Sequence, residues 1–255
     1  MIHPTAIVDP SAKIASGARI GPYCMVGPDV VIGEDTELQH HVTVMGPTKI
    51  GRGNFFFAHT SIGQKTQDLK YEGEPTFLEI GDGNTFREFC TVNRGTLPGT
   101  KTIIGSGGNF LAYAHIAHDC IVGDRVIFSN NGTLAGHVQV GDHAVIGGLT
   151  AIHQFCRVGR HAITGGCSKI VQDVPPFFIA DGNPAEVRGV NQVGLERAGF
   201  APETIRTLKE AYRILYRGKM NVKQAVETIR KELPESPELN ELCTFIETSE
   251  RGIIR

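Results

Sequence analysis

Residues 110–152 read FLAYAHIAHDCIVGDRVIFSNNGTLAGHVQVGDHAVIGGLTAI, and within them Phe110, Ile116, Val122, Phe128, Leu134, Val140, Ile146 and Ile152 stand six apart. The same phase runs outward from this stretch. Upstream it takes in Ile2, Val8, Ile14, Ile20, Val26, Ile32, Leu38, Val44, Ile50, Phe56 and Ile62, then Ile80, Phe86, Val92 and Ile104. Downstream it continues through Val158, Thr164 and Ile170, with Thr164 alone breaking the apolar rule. Gly often follows at once, as at Gly21, Gly33, Gly51, Gly81 and Gly123. An amphipathic helix and an alternating strand have shorter periods, and neither fits. A period of six reads as a parallel β-helix of hexapeptide repeats. Each hexad gives a short strand and a turn, and three hexads close one triangular coil. Coils stack at about 4.8 Å, so roughly nine of them make a prism about 45 Å long. The in-phase apolar residue and the small residue four places later point inward. That slot holds Cys24, Cys90, Cys120 and Cys156, which are therefore expected in the core. The six cysteines contain no CxxC pair, so neither a zinc ribbon nor a redox motif is indicated. Gly33-Glu34-Asp35, Gly81-Asp82-Gly83-Asn84 and Gly123-Asp124 are expected to supply turns with positive φ.

The phase slips twice, near 64–79 and near 94–102. A solenoid tolerates insertions as loops projecting from one face, often the working face. The repeat closes at Pro175-Pro176, and Asp181-Gly182-Asn183-Pro184 reads as a linker. Beyond it the pattern turns helical. Ile205, Leu208, Tyr212 and Leu215 form a stripe closed by Gly218; Val222, Ala225, Val226 and Ile229 form another behind Asn221; Leu239, Leu242, Phe245 and Ile246 form a third behind Ser236-Pro237. The expected division is a β-helix over 1–190 and a helical domain over 191–255. Residues 188–231 carry ten Lys or Arg against four Asp or Glu. Such a surplus suits solvated helix faces or a patch for an acidic carrier or pyrophosphate.

Net charge is −2 over 255 residues, which argues against a general nucleic-acid binder. No apolar run is long enough to span a membrane. Met1-Ile2-His3-Pro4 is already in phase and has no signal-peptide character, so a cytoplasmic location is expected.

Several strings go beyond the period. Ala114-His115-Ile116-Ala117-His118-Asp119-Cys120 resembles the active-site segment of the UDP-N-acetylglucosamine acyltransferases, the first enzymes of lipid A biosynthesis. Leu134-Ala135-Gly136-His137, Ile146-Gly147-Gly148, His153-Gln154-Phe155-Cys156 and Gly165-Gly166-Cys167-Ser168 match the same family. So do Gln67-Asp68-Leu69-Lys70-Tyr71 and Gly73-Glu74-Pro75-Thr76 in the first insertion, and Arg251-Gly252-Ile253-Ile254-Arg255 at the other end. The resemblance implies a left-handed coil, although parallel crossovers are otherwise nearly always right-handed. It also implies a homotrimer, and transfer of an (R)-3-hydroxyacyl group from acyl carrier protein to the glucosamine 3-hydroxyl of UDP-GlcNAc. That reaction calls for no cofactor and no metal.

Acyl transfer from a thioester to a hydroxyl needs a base for the attacking oxygen, a donor for the oxyanion and a grip on two large substrates. The motif places His118 as general base, with Asp119 orienting the ring or stabilising its charged form. No nucleophile is needed, and none is evident beside His118. The resemblance gives Gly136 the oxyanion through its backbone N–H, although a tight turn also accounts for this glycine. It gives His137 and Asp68 the sugar, and Lys70 the acyl or phosphate groups. His115 and His153 would line an inter-subunit cleft, Gln154 would meet the ribose, and Asn191 and Arg197 the nucleotide, with Arg197 suited to phosphate. Gly166 stands where the family sets acyl length, and glycine there suggests a longer chain, although a turn is again an alternative. The remaining histidines, His3, His40, His41, His59, His143 and His161, are expected to be solvated polar residues.

Three positions depart from the family pattern: Asn93 where His is usual, Val193 where Glu is usual, and Ala198 where a second Arg is usual. The first leaves open a 3-amino analogue of UDP-GlcNAc as acceptor. The sister N-acyltransferase carries an added N-terminal domain, and acetyl-CoA-dependent relatives lack the His153-Gln154-Phe155-Cys156 context. Two other classes of reading are a γ-type carbonic anhydrase, with zinc held among His115, His118, His137 and His143, and a purely structural solenoid.

Overall fold

The computed structural model describes residues 1–255 except Lys219, one of the ten basic residues counted above. The chain winds as a left-handed parallel β-helix. Its short strands form three flat sheets of nine, eight and ten members. The first sheet starts at Ile7–Val8, the second at Lys13–Ile14 and the third at Arg19–Ile20, and the chain visits them in that order. A strand pairs with the one a full coil later, as Met25↔Thr43 and Val26↔Val44, a step of eighteen residues. Turn amides bond upward in the same way, as Ile7 N–H to the Cys24 carbonyl at 2.9 Å.

The in-phase residues fill the prism. Phe56, Phe86, Phe110 and Phe128 sit one above another behind the third sheet, with ring centroids 4.9, 4.5 and 5.2 Å apart. All four expected core cysteines are buried, as is Cys243, while Cys167 is exposed. Thr164 is buried without loss because its hydroxyl accepts the Gly147 N–H at 2.9 Å.

The glycines after the apolar residues have a different purpose from the one expected. Gly33, Gly81 and Gly123 do not have positive φ; the left-handed place is two residues further on, at Asp35, Gly83 and Arg125. A Cβ on Gly33 would lie 2.5 Å from the Gly51 carbonyl carbon of the next coil. Close stacking, not a turn angle, demands glycine there. Asp124 is likewise a brace between coils: it accepts the Ser106 N–H at 2.7 Å, and Asp142 accepts the Asp124 N–H at 2.8 Å.

Both insertions leave the corner between the first and second sheets. The step across it is eighteen residues from Ile62 to Ile80 and twelve from Val92 to Ile104, against six from Ile116 to Val122. The extra lengths are multiples of six, which is why the phase persists through them.

The expected linker is instead the turn of an antiparallel hairpin. Phe178–Gly182 adds a parallel strand to the third sheet, beyond Pro175-Pro176, and Ala185–Val190 pairs back against it. Four helices follow: α1 (Gln192–Arg197), α2 (Pro202–Arg217), α3 (Val222–Glu232) and α4 (Pro237–Glu247). The three stripes become α2 to α4. Asn221 forms a full capping box on α3, and the Ser236 side chain caps α4. The short α1 was not anticipated. The helices grip the last coils through Arg157 and Arg160. Arg157 bonds Asp173 at 3.0 Å and lies over the Phe245 ring, and Arg160 pairs with Glu241 at 2.8 Å. The chain then returns, with Ile253 bridging Asp173.

His161 departs from its expected solvated state. It is buried, stacked on His143 at 4.6 Å and edge-on to Phe200 at 5.1 Å. Burial, then the neighbouring charges of His143 and Arg160, lowers its pKa from 6.5 to about 4, with Asp142 opposing. Between those values the unfolded chain binds a proton that the native state refuses, so stability falls as pH drops through this window. His161→Phe should flatten that part of a melting-temperature profile taken from pH 7 to pH 4. A second prediction separates space from angle. Gly33→Ala should cost about 3 kcal/mol because backbone stands in the way. Gly53→Ala, at φ +63 with nothing within 4 Å, should cost only about 1 kcal/mol. Denaturant titration of the two variants measures both.

Candidate active site

The corner between the first and second sheets collects most of the predicted residues. His118 and Asp119 form its turn after the strand His115–Ile116. Gly136 and His137 occupy the same place one coil on, and His153, Gln154 and Phe155 one coil further. The left-handed residues of these turns are Asp119, His137 and Phe155, so their side chains rise from the corner in a column. His137 stacks on Phe155 at 4.7 Å and meets His118 edge-on at 5.1 Å.

His118 Nδ1 lies 2.9 Å from Asp119 Oδ2. His137 Nε2 is 3.8 Å from the same oxygen, and the Thr96 N–H donates to it at 3.1 Å. The Asp119 N–H donates to Thr102 Oγ1 at 2.8 Å. Burial alone would raise the Asp119 carboxyl. Hydrogen bonds involving His118 and Thr100, with the charges of His137 and His118, outweigh it and hold the group below the ordinary carboxylate value. An ionised carboxylate only accepts, so Nδ1 of His118 is the donor in this contact.

Gly136 is glycine because of the ring beside it. Its φ is not in the left-handed region, and an added Cβ would stand 2.4 Å from Cε1 and Nε2 of His118. A turn therefore does not account for it. Among the described residues nothing accepts the Gly136 N–H.

The two insertions meet over this corner. The Thr96 hydroxyl donates to the Thr66 hydroxyl at 2.9 Å, which in turn accepts the Asp68 N–H at 3.0 Å. Asp68 folds back on its own loop, accepting the Lys70 N–H at 2.9 Å, and Lys70 is exposed. A polar chain thus runs from the first insertion through the second to Asp119. Thr66 and Thr96, in the two insertions, and Thr102, in the strand Lys101–Ile104, were not singled out from sequence.

Other predicted residues lie elsewhere. The His115 ring bonds Thr91 Oγ1 at 2.7 Å, and burial, then the His118 charge, lowers its pKa. Asn93 is buried at the end of its strand; its amide donates to the Lys65 carbonyl at 3.1 Å, and its Oδ1 has no partner among the described residues. Gly166 is at another corner, between the third and first sheets. It has neither positive φ nor a crowded Cβ, the nearest atom being the Gly148 oxygen at 3.5 Å, so a turn does not explain it. Asn191 caps α1 by accepting the Gly194 N–H at 3.0 Å while donating to the His161 carbonyl at 2.9 Å, which engages both ends of its amide. Arg197 is exposed at the end of α1. The four-histidine zinc constellation is not assembled within one protomer, because His143 stands at the corner between the second and third sheets. The ligating atoms of His118, Asp119 and His137 do lie within 4.8 Å of one another.

The family described as UDP N-acetylglucosamine O-acyltransferase, domain 2, matches residues 173–254. The acyl-[acyl-carrier-protein]--UDP-N-acetylglucosamine O-acyltransferase of Thermodesulfovibrio yellowstonii is 51% identical over 255 residues, covering 100% of this chain and 99% of its own. That of Herminiimonas arsenicoxydans is 48% identical, with 100% and 99% covered. Among solved structures, LpxA from Acinetobacter baumannii superposes with a TM-score of 0.96 at 48% identity, covering 100% of this chain and 99% of that one. LpxA from Bacteroides fragilis does so with a TM-score of 0.97 at 38% identity, covering 100% of both. No helix among the described residues is long and apolar enough to cross a membrane. The chain is an acyltransferase and belongs to the acyl-[acyl-carrier-protein]--UDP-N-acetylglucosamine O-acyltransferase family.

Proposed function

We propose that the protein transfers an (R)-3-hydroxyacyl chain from acyl carrier protein to the glucosamine 3-hydroxyl of UDP-GlcNAc, the first step of lipid A biosynthesis, with His118 as general base and no covalent acyl-enzyme intermediate. The observation that carries the reading is the His118–Asp119 pair at 2.9 Å, with the ring against Gly136. Nε2 takes the proton of the 3-hydroxyl as its oxygen attacks the thioester carbonyl. The Gly136 N–H donates to the oxyanion that forms. The tetrahedral intermediate collapses, the carbon–sulfur bond breaks, and the carrier's thiolate recovers the proton from His118. Asp119 holds the ring in the reactive tautomer and stabilises the transient imidazolium. Cys120 is unsuited to a covalent route: it is fully buried, and burial pushes its thiol up to about 12.

Asp68 and Lys70 stand in the insertion over the same corner, placed to meet the sugar and the acyl or phosphate groups. His137 sits beside the base, and His153 and Gln154 lie one coil on. Gly166, Asn191 and Arg197 are away from that corner within one protomer. A groove that uses them together with His118 needs another copy of the chain, and the family resemblance gives that assembly as a homotrimer in the cytoplasm. A second reading of the acceptor, a 3-amino sugar nucleotide, rests on Asn93 standing where the family usually has His.

A mass-spectrometric assay should offer both acceptors with a ladder of hydroxyacyl carrier proteins. Product from UDP-GlcNAc supports the first reading, and product from the 3-amino sugar alone replaces it with the second. His118→Ala should cut turnover at least about a hundredfold, the lower range for loss of a general base. Its mass in solution should stay at three times the 27.6 kDa of the chain. An unchanged rate would remove His118 from its role. Gly166→Met should leave folding intact and move the preferred acyl chain to a shorter length in the same ladder.

A further inference from the structure

A second histidine cluster stands at the corner between the third and first sheets, outside the acyl-transfer machinery. His41 and His59 are one coil apart, eighteen residues, and both hold the left-handed place of their turns, with φ 57 and 64. Their rings therefore rise side by side, with centroids 5.1 Å apart. His40 precedes His41 and turns its ring across both, at 89° and 86°. Its Nδ1 is 2.9 Å from His41 Nδ1. All three side chains are exposed, and one nitrogen from each lies within 4.8 Å of the other two. Tyr23 on one side of His41 and Phe89 on the far side of His59 close the column, at 5.1 and 5.0 Å. These contacts hold two of the three rings side by side before anything binds.

We propose that His40, His41 and His59 form a binding site for a late first-row divalent cation of the zinc, nickel or copper type. The donor set decides the class. It is three imidazoles with no carboxylate in the group, which suits these ions and not the oxygen-seeking magnesium or calcium. Three nitrogens around one tetrahedral zinc at about 2.1 Å lie roughly 3.4 Å apart. Rotation of exposed rings brings the present spread to that distance, and a fourth position stays open to water. The ion would tie one coil to the next at a corner, so it stabilises the native coil by mass action.

The test uses tag-free, chelator-treated, full-length protein titrated calorimetrically with zinc chloride. The expected result is one zinc per chain and a higher Tm in its presence. His59→Gln and His40→Gln should each weaken binding at least about a hundredfold, since even a lost outer-sphere partner costs ten- to a hundredfold. His118→Gln, which removes the other group of clustered ligands, should leave the stoichiometry unchanged. Absence of binding at about 0.1 mM zinc overturns the proposal. So does zinc binding that survives both His40→Gln and His59→Gln, or that His118→Gln abolishes.

Discussion

Main-chain hydrogen bonds between one coil and the next govern this molecule. They fix the vertical spacing at strand distance and give each strand residue of a regular coil a partner eighteen residues away, a step that lengthens only across the insertions. At several corners a Cβ on the residue that leaves the strand would strike the backbone of the next coil. Glycine at positions such as 21, 33 and 51 follows from this. So does the column of left-handed residues two places later, because only there does the backbone swing wide enough to turn a corner and point a side chain outward.

The chemistry depends on that column. Within a sheet, neighbouring coils present mainly backbone and alternating side chains. Where the chain turns, however, side chains from successive coils are stacked in register, and polar groups far apart in sequence come within hydrogen-bond reach. Asp119, His137 and Phe155 are brought together in this way, and His118 is packed between Asp119 and Gly136. The two insertions leave the prism at the same corner, and threonine hydroxyls and amides connect them to the carboxylate. The His118 ring is thus oriented by coil geometry, and its Asp119 partner is held by a loop that the repeat does not encode.

Much of this was legible before any coordinates. The six-residue phase names the inward residues, because a hexad buries its side chains on a fixed rhythm. The caps at Asn221 and Ser236 announce α3 and α4, because each supplies an oxygen to an orphan amide. What escaped had no local signature. Steric exclusion by the coil above cannot be distinguished from a turn preference in the letters alone: the positive φ of the run Gly33-Glu34-Asp35 falls on Asp35, and Gly136, which reads as a tight turn, is small because of the His118 ring. Thr66 and Thr96 matter only through a contact thirty residues apart. His161 reads as one more polar corner residue until Phe177 and Phe200 close over it. Asp181 to Pro184 looks like a linker because a hairpin turn and a linker share a composition.

The eighteen-residue register also constrains how such a chain can change over generations. Adding or removing a whole coil leaves every inward side chain facing inward. Losing one residue from a regular turn would rotate all later strands to the wrong face. Heritable length variation in the prism therefore comes in steps, and gradual drift is left to the corner loops. Those loops overhang the His118–Asp119 corner, so the part of the chain freest to vary in length is also the part that borders the candidate site.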